Sequence, residues 1–271
     1  MILVNGKTIN LTHFPDGTTS FRFDPSKFDY FEITWKYDSD QECILLWYLV
    51  KHIRSICGES QEILLFMPYI PNARMDRVIN NDEIFTLKWF AEFINSMSFT
   101  KVYVLDPHSN VSSALIDRIG TWDVGFYVYF AVHKILNDYN VTNLLFCYPD
   151  EGAMKRYSQL FTEEYVYGIK HRDWRTGEIK GLEIAKKEKV AGRDVLIIDD
   201  ICSKGGTFTH MASALKEAGA KEIFLYVSHC ENTIHQGSIL DDDLIRHVYT
   251  TDSIFRKEHN MIECITVSPY I

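Results

Sequence analysis

The stretch from Val195 to Phe208, VLIIDDICSKGGTF, restricts the fold more than any other part of the chain. Val195–Ile198 is an apolar, β-branched run too short for a helix, the pattern of a strand buried in a parallel sheet. Asp199 and Asp200 follow at its carboxyl end. Then come Gly205, Gly206 and Thr207, and after them a helical pattern, MASALKEAGA, that closes on Gly219. In open α/β sheets ligands sit beyond the carboxyl ends of strands. Glycines ahead of a helix expose backbone N–H groups beside the positive end of its dipole, which suits a phosphate. Adjacent carboxylates suit the vicinal hydroxyls of a ribose, or a Mg²⁺ ion held near them. The ordered set reads as a site for a phosphorylated ribose; the bland alternative is a strand–turn–helix with solvated acids.

The chain of 271 residues has room for two ordinary domains, and its 46% hydrophobic content supports a substantial core. A net charge of −9 argues against nucleic acid or an anionic membrane as partner. Phosphate binding therefore has to come from local cations and backbone dipoles. The six cysteines, at 43, 57, 147, 202, 230 and 264, show no CxxC and no zinc-ligand spacing. Reduced, mostly buried thiols in a cytoplasmic protein are expected. No signal-peptide core and no 18-residue apolar run is present, so no membrane association is expected.

Strand-like runs recur at 63–67, 101–105, 144–148, 165–169, 195–198 and 222–228, with helical patterns at 40–56, 86–96, 126–138, 151–159 and 209–219. Such alternation implies mostly parallel sheets flanked by helices. In the first helix Ile44, Leu45, Tyr48, Leu49, His52 and Ile53 form the expected buried face, with Asp40 as N-cap and Gly58 as stop. A break near Gly120–Val124 divides an N-terminal α/β domain, 1–123, from a C-terminal one, 124–271. FPDGT at 14–18 reads as a hairpin turn. Trp47, Trp89 and Tyr103 are expected in the core.

Six short motifs in order resemble the ribose-phosphate pyrophosphokinase family. FPDGT (14–18) resembles its F-S-D-G-E turn, MPYIPNARMDR (67–77) its P-Y-x-x-Y-A-R-Q-D-R segment, and LDPHSN (105–110) its D-L-H turn. YPDEGAMKR (148–156) resembles S-P-D-x-G-G-x-x-R, IKHR (169–172) resembles D-K-R-R, and SHC (228–230) stands where the family reads T-H-P. The resemblance implies two tandem phosphoribosyltransferase-like (type I) domains with the active site between them. It implies ATP contacts by Phe14, Asp16, Arg74, Arg77, Asp106 and His108, with Mg²⁺ held near Asp106, His108 and Asp150. Asp150, Asp199, Asp200, Ser203, Lys204, Gly205, Gly206 and Thr207 would bind the ribose phosphate. Lys170, Arg172 and His108 would be catalytic, and the turn at 14–18 would serve a neighbouring subunit in a homodimer or larger assembly.

The chemistry fits these residue types. Moving a diphosphoryl group needs positioned cations and Mg²⁺ and little covalent work by the protein. Arginine supplies a planar fork for phosphate oxygens and lysine a compact charge. The expected reaction transfers the β,γ-diphosphoryl group of ATP to the anomeric hydroxyl of a 5-phosphorylated ribose, with release of AMP.

Departures bear on the acceptor. In the phosphate loop an acidic residue of the family gives way to Ser203, and Lys204 adds a base. Thr18 replaces a Glu and Met75 a Gln, which alters the expected adenine contacts. The chain stops at Tyr270–Ile271, where the family continues into a terminal helix, so oligomer geometry and allosteric sites are not carried over. A largely phage-borne branch of the family uses ADP-ribose, and Lys204 suits a second phosphate; ribose 5-phosphate and ADP-ribose both stand as acceptors. Phe208 or Trp174 would then offer a stacking face. Two other readings remain open at the level of sequence, a phosphoribosyltransferase and a catalytically silent regulatory homologue.

Overall fold

The computed structural model describes residues 1–172 and 179–268, with backbone alone at 170–172 and 179–180. Its contacts divide the chain into a first unit, Met1–Trp122 with Ser268, and a second, Asp123–Val267.

The first unit is built on β1 (Ile2–Val4), β2 (Lys7–Thr8), β3 (Leu11–His13), β4 (Thr19–Phe21), β5 (Phe31–Trp35), α1 (Gln41–Cys57), β6 (Ile63–Phe66), α2 (Thr86–Ser96), β7 (Lys101–Leu105), α3 (Asn110–Leu115) and β8 (Ile119–Trp122). Six strands form one sheet in the order β2-β1-β5-β6-β7-β8, parallel from β5 to β8. The hairpin β3–β4 stands as a separate pair, and Gly17 with φ +84° closes its turn at 14–18. Gly58, with φ +98°, stops α1 and donates its N–H to Arg54 O.

Three expectations for this unit are corrected. The buried face of α1 is Leu45, Leu46, Leu49, Val50 and Ile53, each worth roughly 1.5–3 kcal/mol when fully buried. Ile44 and Tyr48 lie outside it, 48% and 44% exposed. Trp47 and Trp89 are also exposed, because the same helical period turns them away from the sheet. Asp40 precedes α1 but does not cap it with its side chain; its Oδ1 accepts from Tyr37 Oη at 2.7 Å instead.

The second unit comprises α4 (Gly125–Asp138), β9 (Leu144–Tyr148), α5 (Glu151–Tyr157), β10 (Tyr165–Arg172), β11 (Ile179–Ala185), β12 (Asp194–Cys202), α6 (Gly206–Glu217), β13 (Ile223–Cys230), β14 (His247–Thr251) and β15 (Ile262–Ile265). Its seven strands run β11-β10-β9-β12-β13-β14-β15, all parallel except the β10–β11 pair. From β9 the chain moves one way to β10, and from β12 the other way to β13. The carboxyl ends of β9 and β12 therefore flank a topological switch point, where a crevice for ligands opens. Central β13 is buried along its whole length, as a strand covered on both faces must be.

Each unit is a mostly parallel sheet flanked by helices, the tandem type I arrangement. Among the described residues every cysteine is a free thiol; Cys147, Cys202 and Cys230 are buried, Cys43 and Cys57 half-buried and Cys264 exposed. No helix among the described residues is long and apolar enough to cross a membrane.

Candidate active site

At the switch point of the second unit, Asp150 follows β9 while Asp199 and Asp200 end the apolar part of β12. Asp200 is 5% exposed; its Oδ2 meets Arg156 Nη1 at 2.9 Å and its Oδ1 accepts from Ile201 N at 2.9 Å. Asp150 caps α5, its Oδ1 accepting from Ala153 N at 3.0 Å. Burial first, and then the charges of Asp200 and Asp150, raise the Asp199 carboxyl well above the usual carboxylate range. Three acids thus meet in a partly dry crevice. Such a site favours a bound cation, or hydroxyl donors such as those of a ribose.

The phosphate loop follows. Gly205 sits in the left-handed region at φ +85°, and a Cβ there would also stand 2.8 Å from Ile239 Cγ2. The first intrahelical bonds of α6 run from Phe208 N and Thr209 N to Gly205 O, so the amides of Gly206 and Thr207 lie ahead of them at the positive end of the helix. Gly206 and Thr207 are exposed, and a Cβ on Gly206 would meet nothing within 4 Å. Lys204 is exposed and Ser203 half-buried.

The segment after β13 holds this loop from one side. Glu231 N donates to Cys202 O at 2.8 Å, and Ser203 Oγ lies 3.1 Å from Thr233 Oγ1, which in turn donates to Glu231 Oε2 at 3.1 Å. Gly237 packs directly on the carbonyl of Lys204, and Thr209 Oγ1 donates to Asp242 Oδ2 at 3.1 Å. Cys202 and Cys230 are paired neighbours on β12 and β13. The Cys230 thiol donates to Cys202, and that bond, then burial, pushes its pKa far up, so it is inert as a nucleophile. His229 is 2% exposed with Nδ1 2.8 Å from Ser253 Oγ, the place of a core-edge histidine.

In the first unit Asp106 and His108 follow β7, and Arg74 and Arg77 lie in the turn region after β6. The two segments are linked by Leu105 N donating to Pro68 O at 3.0 Å. Asp106 is 6% exposed with φ +41°, a conformation that costs a non-glycine residue energy and clusters at functional sites. Arg77 Nε lies 3.7 Å from Asp76 Oδ1 with its side chain mostly in solvent. Phe14 is 58% exposed at the hairpin tip. Asp16 is held below its usual range by the Thr18 hydroxyl and then the Thr18 amide.

Lys170 and Arg172 lie on β10, but their side chains fall outside the described residues, as does Trp174 altogether. Phe208 is corrected: at 3% exposed it belongs to the core and offers no stacking face. Among the described residues no group of three or more His, Cys, Asp or Glu is arranged to hold a metal ion. Mg²⁺ keeps waters and takes phosphate oxygens beside one or two carboxylates, so the repelling acids at the switch point fit it without forming a cage.

Arg156, Glu231, Thr233 and Gly237 were not assigned roles from the sequence. Arg156 stands in the motif 148–156. The other three follow β13, and a parallel neighbour of β12 must deliver its next loop beside the phosphate loop.

Residues 156–254 match the phosphoribosyl transferase domain family. The ribose-phosphate pyrophosphokinase of Pasteurella multocida is 30% identical over 201 residues, 73% of this chain and 62% of that protein. The chain therefore spans less than two thirds of that relative. The Sulfolobus acidocaldarius enzyme of the same name is 24% identical over 93% of this chain and 87% of its own. These relatives support the ribose-phosphate pyrophosphokinase family for this chain. A phosphoribosylpyrophosphate synthetase of Mycobacterium smegmatis has a similar fold, with a TM-score of 0.75, 16% identity and coverage of 97% of this chain and 87% of its own.

Proposed function

We propose that the chain is an ATP-dependent pyrophosphokinase. It would transfer the β,γ-diphosphoryl group of ATP to the anomeric hydroxyl of ribose 5-phosphate or ADP-ribose and release AMP. The observation that carries this reading is the loop at the end of β12, where an acidic pair leads into a left-handed glycine and the open amides of α6. Relatives named for this reaction support it.

The anomeric oxygen attacks the β-phosphorus, the bond from that phosphorus to the αβ-bridging oxygen breaks, and AMP departs. Gly206 and Thr207 amides with Ser203 and Lys204 hold the 5′-phosphate, and Asp199 and Asp200 orient the ribose hydroxyls. Lys170 and Arg172 stabilise charge on the transferred phosphoryl oxygens, a role whose loss commonly costs ~10²–10³ in rate. Arg74, Arg77, Asp106 and His108 receive ATP, with Phe14 and Asp16 serving a neighbouring copy in a homo-oligomer. In this assignment 1–123 is the ATP side and 124–271 the ribose-phosphate side of a cytoplasmic enzyme. Mg²⁺ would be held by Asp106 and His108 on the ATP side and by Asp150 on the ribose-phosphate side, and would neutralise the phosphate charge.

Incubation with Mg²⁺, ATP and each acceptor, with AMP as readout, tests the reading. AMP formed only when an acceptor is present supports it, and no AMP with either acceptor rejects it. Lys204→Ala should lower kcat/KM for ADP-ribose roughly ten- to a hundredfold if Lys204 contacts its second phosphate. An equal loss for both acceptors would make Lys204 a general phosphate contact.

A further inference from the structure

An acceptor with a nucleoside on its second phosphate needs a place for the base beyond the phosphate loop, and buried Phe208 does not supply one. The second unit carries an open cleft of about 520 Å³ lined by Phe255, Lys257, Glu258, His259, Asn260 and Ile262. Its volume lies within the ordinary range of ligand pockets. The helical turn Asn232–Gln236 joins this cleft to the phosphate loop. Thr233 touches Ser203 at 3.1 Å, and two residues further on His235 stacks on Phe255, with ring centroids 6.2 Å apart and planes at 12°. His259 lies 5.6 Å from His235 at 67°, a third ring in the same group. Arg256 N donates to Asn232 Oδ1 at 3.0 Å, which fixes the cleft rim to the turn. A 3₁₀ turn advances about 2 Å per residue, so the backbone moves only ~4 Å between the loop contact and the ring group.

The ring group also has an unspent polar atom. His235 Nε2 is buried and has no hydrogen-bond partner among the described residues. Burial, then Lys257 and His259, lowers the pKa of His235 and favours its neutral ring, which can donate at one nitrogen and accept at the other. Exposed Lys257 adds a cation at the rim, suited to a phosphate.

We propose that this cleft is the subsite for the purine base of a nucleoside-diphosphate-linked ribose acceptor, stacked on His259. The inference rests on the acceptor reading above and assigns a location to the half of ADP-ribose that ribose 5-phosphate lacks.

Calorimetric titration of the full chain with ADP-ribose and with ribose 5-phosphate, both without ATP, tests it. Wild type should bind ADP-ribose more tightly. His259→Ala should weaken ADP-ribose roughly five- to a hundredfold, the range for a lost base stack, and ribose 5-phosphate less than about twofold. His259→Phe should recover most of the ADP-ribose affinity, which a purely structural role of the imidazole would not allow. Asn260→Trp, at an exposed position, should fill the cleft and block ADP-ribose alone. Equal losses for the two acceptors, no change with either, or a wild type that binds ADP-ribose no better than ribose 5-phosphate overturns the subsite. AMP release from ribose 5-phosphate separates the two readings: the reaction can stand while the subsite falls. The reverse result, selective loss of ADP-ribose binding without AMP from any acceptor, keeps the subsite and rejects the reaction.

Discussion

The carbonyl oxygen of Lys204 lies so close to Gly237 that a Cβ on Gly237 would stand 1.8 Å from it. The phosphate loop and the segment after β13 are thus fitted backbone to backbone, and only glycine permits the approach. Gly237→Ala must push the Lys204 peptide away and tilt the amides that follow. We expect a stability loss of ~1–3 kcal/mol from overpacking and roughly a tenfold rise in KM for the acceptor. KM for ATP should stay near the wild-type value. Steady-state kinetics with each substrate varied in turn checks this; equal rises for both substrates contradict a brace specific to the phosphate loop.

The two loop glycines should behave oppositely. Gly205→Ala meets both a left-handed backbone and Ile239, so it should destabilise the fold by about 1–2 kcal/mol from the backbone alone. Gly206→Ala meets nothing, and should fold as well as wild type or ~0.4–1 kcal/mol better. Its methyl group would stand at the mouth of the anion site, so acceptor binding should weaken all the same. Denaturant melts beside acceptor titrations separate the two effects.

Arg156 is the paired cation of nearly buried Asp200. Arg156→Leu leaves that carboxylate without its guanidinium and should cost about 1.5–3 kcal/mol, the usual worth of a hydrogen bond to a charged group. A loss of activity beyond the loss of folded protein would show that the pair also sets the ribose site. A melt unchanged from wild type contradicts the assignment.

Asp199 gives a pH signature. Its folded-state pKa is raised, so the folded chain holds a proton that the unfolded chain releases. Stability therefore falls as pH rises from the unfolded carboxylate range, about 3.9, through the raised folded value. Asp199→Asn removes the half-buried charge. The variant should melt higher than wild type at neutral pH, converge with it in acid, and lose activity. A variant less stable than wild type at neutral pH contradicts the burial argument.

The motif-bearing strands were legible because β6, β9 and the apolar part of β12 are buried almost throughout, and β7 is a mostly apolar run buried on one face. Strand β5 was not, since Glu32 interrupts FEITW even though it is 8% exposed. Strands β11, β14 and β15 mix polar residues into short edge or near-edge runs, which periodicity alone does not resolve. The tryptophans misled for another reason: size suggested burial, but helical phase decides which face meets the sheet. At the site, residues within the loop could be read from order and spacing. Arg156, Thr233 and Gly237 act through contacts between segments distant in sequence, and those became visible only when β12 and β13 were placed side by side.

The central claim is tested most directly by following the β-phosphorus of ATP. With ATP carrying radioactive phosphorus at that atom, Mg²⁺ and an acceptor, chromatography should show the label in a diphosphate attached to the anomeric carbon, with unlabelled AMP in equal amount. Label appearing in ADP or in free phosphate, or in no sugar product with either acceptor, would contradict the account.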